Sequence, residues 1–231
     1  MLPMTWPAFP DMKELDIFGS VTPAKAVGGD LYDFRIRGGK LYFCIGDVSG
    51  KGIPASLVMT VISSLFRTLS ATEDNPAHIV TSLNDTMSSR NDSMMFVTLL
   101  VGSLDLTTGE LNYCNAGHNA PFVMSGGKPH MLEVDANVPI GILEGADYPL
   151  QSTKLSHDTV LFLYTDGLTE ATRSDGQLFG EERVMKNLSE SGNGASSKNL
   201  ISHMSKAVSE FVAGAEQSDD LTMLAIKVSL K

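Results

Sequence analysis

Ile45-Gly46-Asp47-Val48-Ser49-Gly50-Lys51-Gly52-Ile53-Pro54 is the stretch on which the reading of this chain turns. Leu41-Tyr42-Phe43-Cys44-Ile45 leads into it, short, apolar and rich in β-favouring residues, the pattern of a buried strand. Residues 55–69 lead out of it. There Leu57, Val58, Val61, Ile62, Leu65, Phe66 and Leu69 recur at i, i+3/i+4 spacing, the stripe of an amphipathic helix. Strand, glycine-rich turn and helix in that order set Asp47 on a rigid scaffold, where its carboxylate can face a cleft. Gly46, Gly50 and Gly52 allow the backbone to approach a ligand or an ion closely. Taken alone, the same residues also fit an acidic turn facing solvent. A nucleotide-binding P-loop does not fit. Gly46 stands one residue too close to Gly50-Lys51, and Gly52 occupies the place of the required hydroxyl.

Composition bounds the rest. The chain has 231 residues, 42% of them apolar, enough for a sizeable core. Its formal charge is -10, from 27 acidic and 17 basic residues, which argues against nucleic acid as a partner. Cys44 and Cys114 both fall in strand-like runs and read as buried reduced thiols, so the expected setting is cytoplasmic. No apolar run reaches the ~18 residues of a membrane helix, and the beginning lacks the apolar block of a secretory signal. No membrane contact is expected of this segment, although a longer parent protein could carry an anchor.

Outward from Asp47, residues 1–14 read as an extended arm, with Pro3, Pro7 and Pro10 around Trp6 and Phe9, whose aromatics dock on the domain. Residues 15–231 read as a single α+β domain with sheets inside and helices outside. Strands are expected over 15–21, 31–37 and 40–47, the last two joined across Gly38-Gly39. Further strands are expected over 94–104, 110–115, 122–124, 131–134, 150–155, 159–165 and 221–228. Asn75-Pro76 opens a second helix, Gly180 a third, and Ser196 or Ser197 caps a fourth. The 55–69 stripe, with adjacent pairs Leu57/Val58, Val61/Ile62 and Leu65/Phe66, is broader than one sheet contact needs.

Four strand ends carry an aspartate: Asp30, Asp47, Asp166 and Asp219, the last followed by Asp220. The 31–47 hairpin sets Asp30 and Asp47 at the same end. Such acids, if they converge, repel one another unless cations sit among them. Hard oxygen ligands suit Mg²⁺ or Mn²⁺, whereas the scattered histidines lack the spacing of a zinc site. Two such ions can activate water and neutralise a phosphoryl group. Carboxylates that merely terminate strands remain the alternative.

Val27-Gly28-Gly29-Asp30-Leu31-Tyr32-Asp33, Gly46 to Gly52, Asn115-Ala116-Gly117-His118-Asn119, Tyr164-Thr165-Asp166-Gly167-Leu168-Thr169-Glu170 and Ser218-Asp219-Asp220-Leu221-Thr222 together resemble the SpoIIE/RsbU-like branch of the metal-dependent (PPM, type 2C) serine/threonine phosphatases. The five motifs stand in the family's order and span nearly the whole chain. The resemblance implies a β-sandwich of two antiparallel sheets flanked by α-helices. It implies two Mn²⁺ or Mg²⁺ ions, with Asp47 bridging both, the Val48 carbonyl on one, Asp166 and Asp219 on the other, and Asp30 beside the pair. Asp220 fills a position where relatives often carry Asn and is expected one step behind the ligands. Ser49 replaces the histidine that serves as proposed general acid in type 2C relatives. His118 replaces the aspartate of their Asn-x-Gly-Asp motif, which can hold a third metal, and reads as a turn residue.

The activity so implied is phosphoserine or phosphothreonine protein hydrolysis by metal-activated water. The implied substrate is a phosphorylated STAS-type anti-sigma-factor antagonist in bacterial signalling. An upstream sensor or coiled-coil segment and a possible homodimer are the implied partners. The competing reading is a catalytically weak interaction module of the same fold. The missing histidine favours it, and the retained acids oppose it.

Overall fold

Side-chain alternation along the strands sorts this molecule into three apolar layers. The computed structural model describes residues 9, 10, 12–89, 91, 93–192 and 194–230. One antiparallel sheet has the order β1 (Leu15–Thr22), β10 (Leu221–Val228), β9 (Thr159–Tyr164), β6 (Phe122–Ser125) and β7 (Lys128–Met131). The other has β2 (Leu31–Arg37), β3 (Lys40–Val48), β4 (Val97–Asp105), β5 (Glu110–Ala116) and β8 (Gln151–Lys154). Phe43, Ile45 and Leu100 of one sheet meet Leu161, Leu163 and Leu224 of the other between them. The intervening residues of each strand face outward beneath helices. Tyr42, Cys44 and Val101 lie under α1 (Ile53–Leu69) and α2 (Pro76–Ser88). Phe162, Tyr164 and Met223 lie under α4 (Gly180–Ser191) and α5 (Ser197–Val212). Strands buried on both faces need apolar residues at every position, which is why 41–45 and 160–164 are unbroken apolar runs.

The two cysteines are buried free thiols in the layer beneath α1 and α2. Burial pushes Cys114 up to about 12 and Cys44 well above its ordinary value, which leaves both inert.

Local chemistry fixes the helices. Asn75 accepts a hydrogen bond from Ala77 N at 2.9 Å, with Pro76 in the first turn of α2. Ser196, rather than Ser197, caps α5 by accepting from Asn199 N. α1 begins at Ile53, two residues before its expected start, because Pro54 suits the first turn and Gly52 takes φ 78. Buried Asp33 on β2 then accepts from Ser63 Oγ at 2.9 Å and pairs with Arg67 Nε, so α1 is pinned to the sheet.

Two strand expectations are corrected. The strand expected from Met94 begins at Val97. Met94 has φ 50, and the Asn91 side chain grips both backbone groups of Met95, so the chain is still turning there. The return of the 122–131 hairpin covers Lys128–Met131, not 131–134. Gly126 and Gly127 both have positive φ and make a two-residue turn, which reverses the chain sooner. Of the expected arm, Phe9 stacks on Phe18 and Phe34, with centroids 4.8 and 5.8 Å apart. Trp6, Pro3 and Pro7 lie outside the described residues.

The broad stripe on α1 divides in two. Ile62 and Phe66 are buried, whereas Leu57 and Val61 are more than half exposed, at 56% and 54%. They border a groove of about 300 Å³ between α1 and α2. No helix among the described residues is long and apolar enough to cross a membrane.

Candidate metal centre

At one end of the sandwich the inner face changes character. Asp47 and Thr98 stand two residues from Ile45 and Leu100 on β3 and β4, so their side chains continue the same inward row. Thr165 and Thr222 do the same with respect to Leu163 and Leu224 where β9 ends and β10 begins. Leu31 pairs with Gly46, so Asp30 stands opposite Asp47 just beyond the end of β2. Asp166 opens the short helix α3 (Asp166–Thr169) directly after Thr165, and Asp219 and Asp220 lead into β10. Both sheets therefore deliver carboxylates to one end.

The threonines join the two sides. Thr165 Oγ1 donates to Asp30 Oδ2 at 2.7 Å and accepts from Thr222 N at 3.2 Å. Asp220 is a backbone clamp. Its carboxylate accepts from Ala24 N at 2.8 Å, Gly29 N at 2.7 Å and Asp30 N at 3.5 Å, and so moulds the loop that presents Asp30. Close approach explains two glycines of the motifs. A Cβ at Gly28 would stand 2.2 Å from Asp220 Oδ2, and one at Gly167 would stand 1.9 Å from the Asp220 carbonyl oxygen. Asp219, one residue away and pointing elsewhere, meets Lys51 Nζ at 2.8 Å.

Electrostatics sets these acids apart from ordinary surface carboxylates. Burial, and then the charge of Asp47, pushes Asp30 up to about 9. Burial, and then the charge of Asp166, pushes Asp47 up to about 7, with Asp219 and Asp220 adding to the effect. Asp166 is raised too, by burial first and by Glu170 and Asp219 next. Among the described residues, no three His, Cys, Asp or Glu side chains close on one point. Asp30 is turned to Thr165 and is also hydrogen-bonded to Asp47, and Asp219 is turned to Lys51.

Divalent cations fit this donor set. The acids are hard oxygen ligands, and a divalent cation among them would offset both the burial and the neighbouring charges that raise Asp30, Asp47 and Asp166. Val48 offers a backbone oxygen beside them. Its ladder partner Val97 directs both backbone groups to Ile140, and a Cβ on Gly29 would stand 3.0 Å from the Val48 oxygen. A side chain at position 29 would crowd that oxygen.

Ser49 and His118 are engaged in structure. Ser49 Oγ accepts from Phe96 N at 2.9 Å while its own N–H donates to Phe96 O at 2.8 Å, which ties the turn to the start of β4. His118 is buried, and its backbone is bracketed by the Asn115 amide through two bonds of 3.1 Å. Its Nδ1 lies 2.9 Å from Thr98 Oγ1, so it touches the neighbour of Asp47 and not the acids. Burial holds its pKa down to about 4, so the ring is neutral at physiological pH. Sequence reasoning passed over Thr98, Thr165 and Thr222. The available signal was a hydroxyl in phase with the inward residues at the end of each apolar strand. It also passed over Lys51 except as a false P-loop lysine.

Comparison with known proteins agrees with this architecture. The family model described as stage II sporulation protein E (SpoIIE) matches residues 37–229, a span that includes Asp47, Asp166, Asp219 and Asp220 and begins after Asp30. Protein IcfG of Synechocystis sp. is 29% identical over 248 residues, covering 95% of this chain and 39% of that protein. Phosphoserine phosphatase RsbU of Bacillus subtilis is 26% identical over 219 residues, covering 94% of this chain and 64% of that protein. The chain thus spans less than two thirds of the length of either relative. The SiaA-PP2C domain of Pseudomonas aeruginosa superposes with a TM-score of 0.81 at 20% identity, covering 92% of this chain and 86% of that one. With the family model matched over most of its length and two antiparallel five-stranded sheets between helical layers, this chain belongs to the SpoIIE family and has a PP2C-like fold.

Proposed function

We propose that this chain is a metal-dependent phosphoserine/phosphothreonine protein phosphatase that works by attack of water on phosphorus. The observation that carries the reading is the set of partly to fully buried aspartates gathered at one end of the sandwich, with Asp30 and Asp47 driven toward their protonated forms. Such a set has no evident use in a protein that only binds partners, and it suits a site that exchanges protons for cations. Similarity to a phosphoserine phosphatase along 94% of this chain supports the same conclusion.

In this reading Asp47 and the Val48 carbonyl would help to hold two Mn²⁺ or Mg²⁺ ions. Asp166 and Asp219 would complete the set of holding carboxylates, with Asp30 beside them. Once bound, the ions would supply charge neutralisation for the phosphoryl oxygens and a water acidic enough to react at neutral pH. The chain's own residues do the positioning. Asp220 holds the 24–30 loop, Thr165 orients the Asp30 carboxylate, and Ser49 fixes the turn after Asp47. Ser49 is no general acid in this scheme, because a serine hydroxyl is far too weak an acid to take the place of a protonated imidazole; its oxygen serves the turn by accepting from Phe96 N.

The proposed substrate is a small phosphorylated STAS-type protein, an anti-sigma-factor antagonist. Control by an upstream sensor or coiled-coil segment, or by a second copy of the chain, would reach the centre through α1, which follows the Asp47 turn and exposes Leu57 and Val61. The test is release of inorganic phosphate from a phosphoserine-bearing STAS protein, with Mn²⁺, with Mg²⁺ and with excess EDTA. Turnover that requires a divalent ion and vanishes with EDTA is expected. Absence of turnover under every metal condition, with generic aryl phosphates as well, would contradict the assignment.

A further inference from the structure

Lys51 is the cation that already sits in this acidic end. Its Nζ donates to Asp219 Oδ2 at 2.8 Å and to the Ser218 carbonyl oxygen at 2.6 Å. These bonds join the turn after Asp47 to the segment entering β10, about 170 residues away in sequence, across the mouth between the two sheets. Asp219 holds the ammonium through Oδ2, while its Oδ1 accepts from Asp220 N at 2.9 Å. Both oxygens of a proposed metal ligand are therefore engaged within the chain. The lysine is also placed to leave. Its side chain is 42% exposed and that of Asp219 is 32% exposed, so the ammonium can return to water without crossing protein. Lys51 follows Gly50 (φ 87) and precedes Gly52 (φ 78), neither of which has an atom within 4 Å of an added Cβ, so the turn has room to shift.

We infer that Lys51 is a positioning residue that exchanges with a divalent cation for Asp219. The inference rests on the reading of this end as a metal centre. Without the ion, the ammonium neutralises Asp219 and latches the two loops together. When the ion binds, Asp219 turns to it and Lys51 is released toward solvent at the rim of the site. Each ion bound at Asp219 therefore displaces one ammonium, and the latch lowers the apparent metal affinity by the strength of the bridge it breaks. No covalent bond changes.

The exchange predicts the opposite sign from a merely structural role. If Lys51 only braced the loops, removing it would loosen the site and weaken metal binding. If it competes, removing it tightens binding. The experiment is isothermal titration of Mn²⁺ into the protein as it stands, Lys51→Met and Lys51→Arg, at 0.1 M and 0.5 M salt. For a half-exposed, doubly bonded ion pair, Lys51→Met should bind the Asp219 ion about three- to tenfold more tightly, and Lys51→Arg should stay within about twofold of the unmodified protein. The gain should persist at high salt, since a contact is displaced rather than a distant charge removed. A second readout needs no substitution. Reductive methylation followed by mass spectrometry should label Lys51 faster at saturating Mn²⁺ than in EDTA. Equal or weaker Mn²⁺ affinity in Lys51→Met, or Lys51 labelling that Mn²⁺ leaves unchanged or slows, overturns the exchange and leaves the metal centre standing. No Mn²⁺ binding in any of the three proteins overturns both.

Discussion

The inner face of this sandwich has two regions that differ by one step of strand alternation. In the middle, Ile45, Leu100, Leu163 and Leu224 interlock and are at most 1% exposed. One step further along the same strands, Asp47, Thr98, Thr165 and Thr222 occupy the equivalent places. The first region is closed and apolar, and it stabilises the fold through burial. The second is held by the same backbone but gathers like charges that oppose one another, a cost to stability that the proposed cations would relieve. The rigid middle is what allows a self-repelling end to exist, and the two should respond in opposite ways to the same kind of truncation.

The largest expected contrast comes from removing one side chain from each region. Asp47→Asn should lower phosphatase activity by at least about 10³-fold if its carboxylate holds both ions as proposed. It should also leave the metal-free protein as stable or more stable at pH 8, since one of the opposed charges is gone. Leu163→Ala should do the reverse. It should cost about 2–5 kcal/mol in urea unfolding, and residual folded protein should keep its turnover. Loss of stability in Asp47→Asn comparable to that of Leu163→Ala would erase the distinction between the two regions.

Acidity sharpens the comparison. Asp30 and Asp47 have folded-state pKa values of about 9 and about 7, above their ordinary 3.8. Groups raised in this way favour the folded state fully below about pH 4, and that contribution is lost as pH climbs through 7 and 9. Melting of the EDTA-treated protein should therefore fall progressively between pH 5 and pH 9. Mn²⁺ should raise the melting temperature far more at pH 8 than at pH 5, because protons compete for the same oxygens. A metal increment independent of pH would show that the ions bind elsewhere.

The smallest effect is expected at Ser49, in the turn between the two regions. Ser49→Ala loses one hydrogen bond to Phe96 N but no proton donor, so kcat should fall less than tenfold, against the 10²–10⁴-fold of a missing general acid. A drop of that larger size with unchanged Mn²⁺ affinity would assign the leaving-group proton to Ser49.

Why the end was partly legible in sequence, and partly not, comes from the same alternation. The hairpin across Gly38-Gly39 fixed the register of β2 and β3, so the facing of Asp30 and Asp47 could be read from spacing. α2 and α5 were announced by their caps and periodic faces. The threonine row was hidden because β4, β9 and β10 are buried on both sides, which weakens the contrast between inward and outward residues that alternation needs. Asp219 and Asp220 are neighbours of identical chemistry. The resemblance alone told them apart in sequence, and the folded chain supplies the reason: Asp220 grips Ala24 and Gly29 while Asp219 meets Lys51. The start of β4 was misjudged because Met94-Met95-Phe96 is apolar and β-like in composition, yet the Asn91 side chain bends it.

The central claim, that the acidic end is a two-ion centre, is tested most directly by anomalous diffraction from crystals grown with Mn²⁺. Two anomalous peaks are expected among Asp30, Asp47, Asp166 and Asp219, both in contact with Asp47 and one with the Val48 carbonyl oxygen. No peak at that end of the sandwich, with Mn²⁺ bound elsewhere or nowhere, would contradict the account.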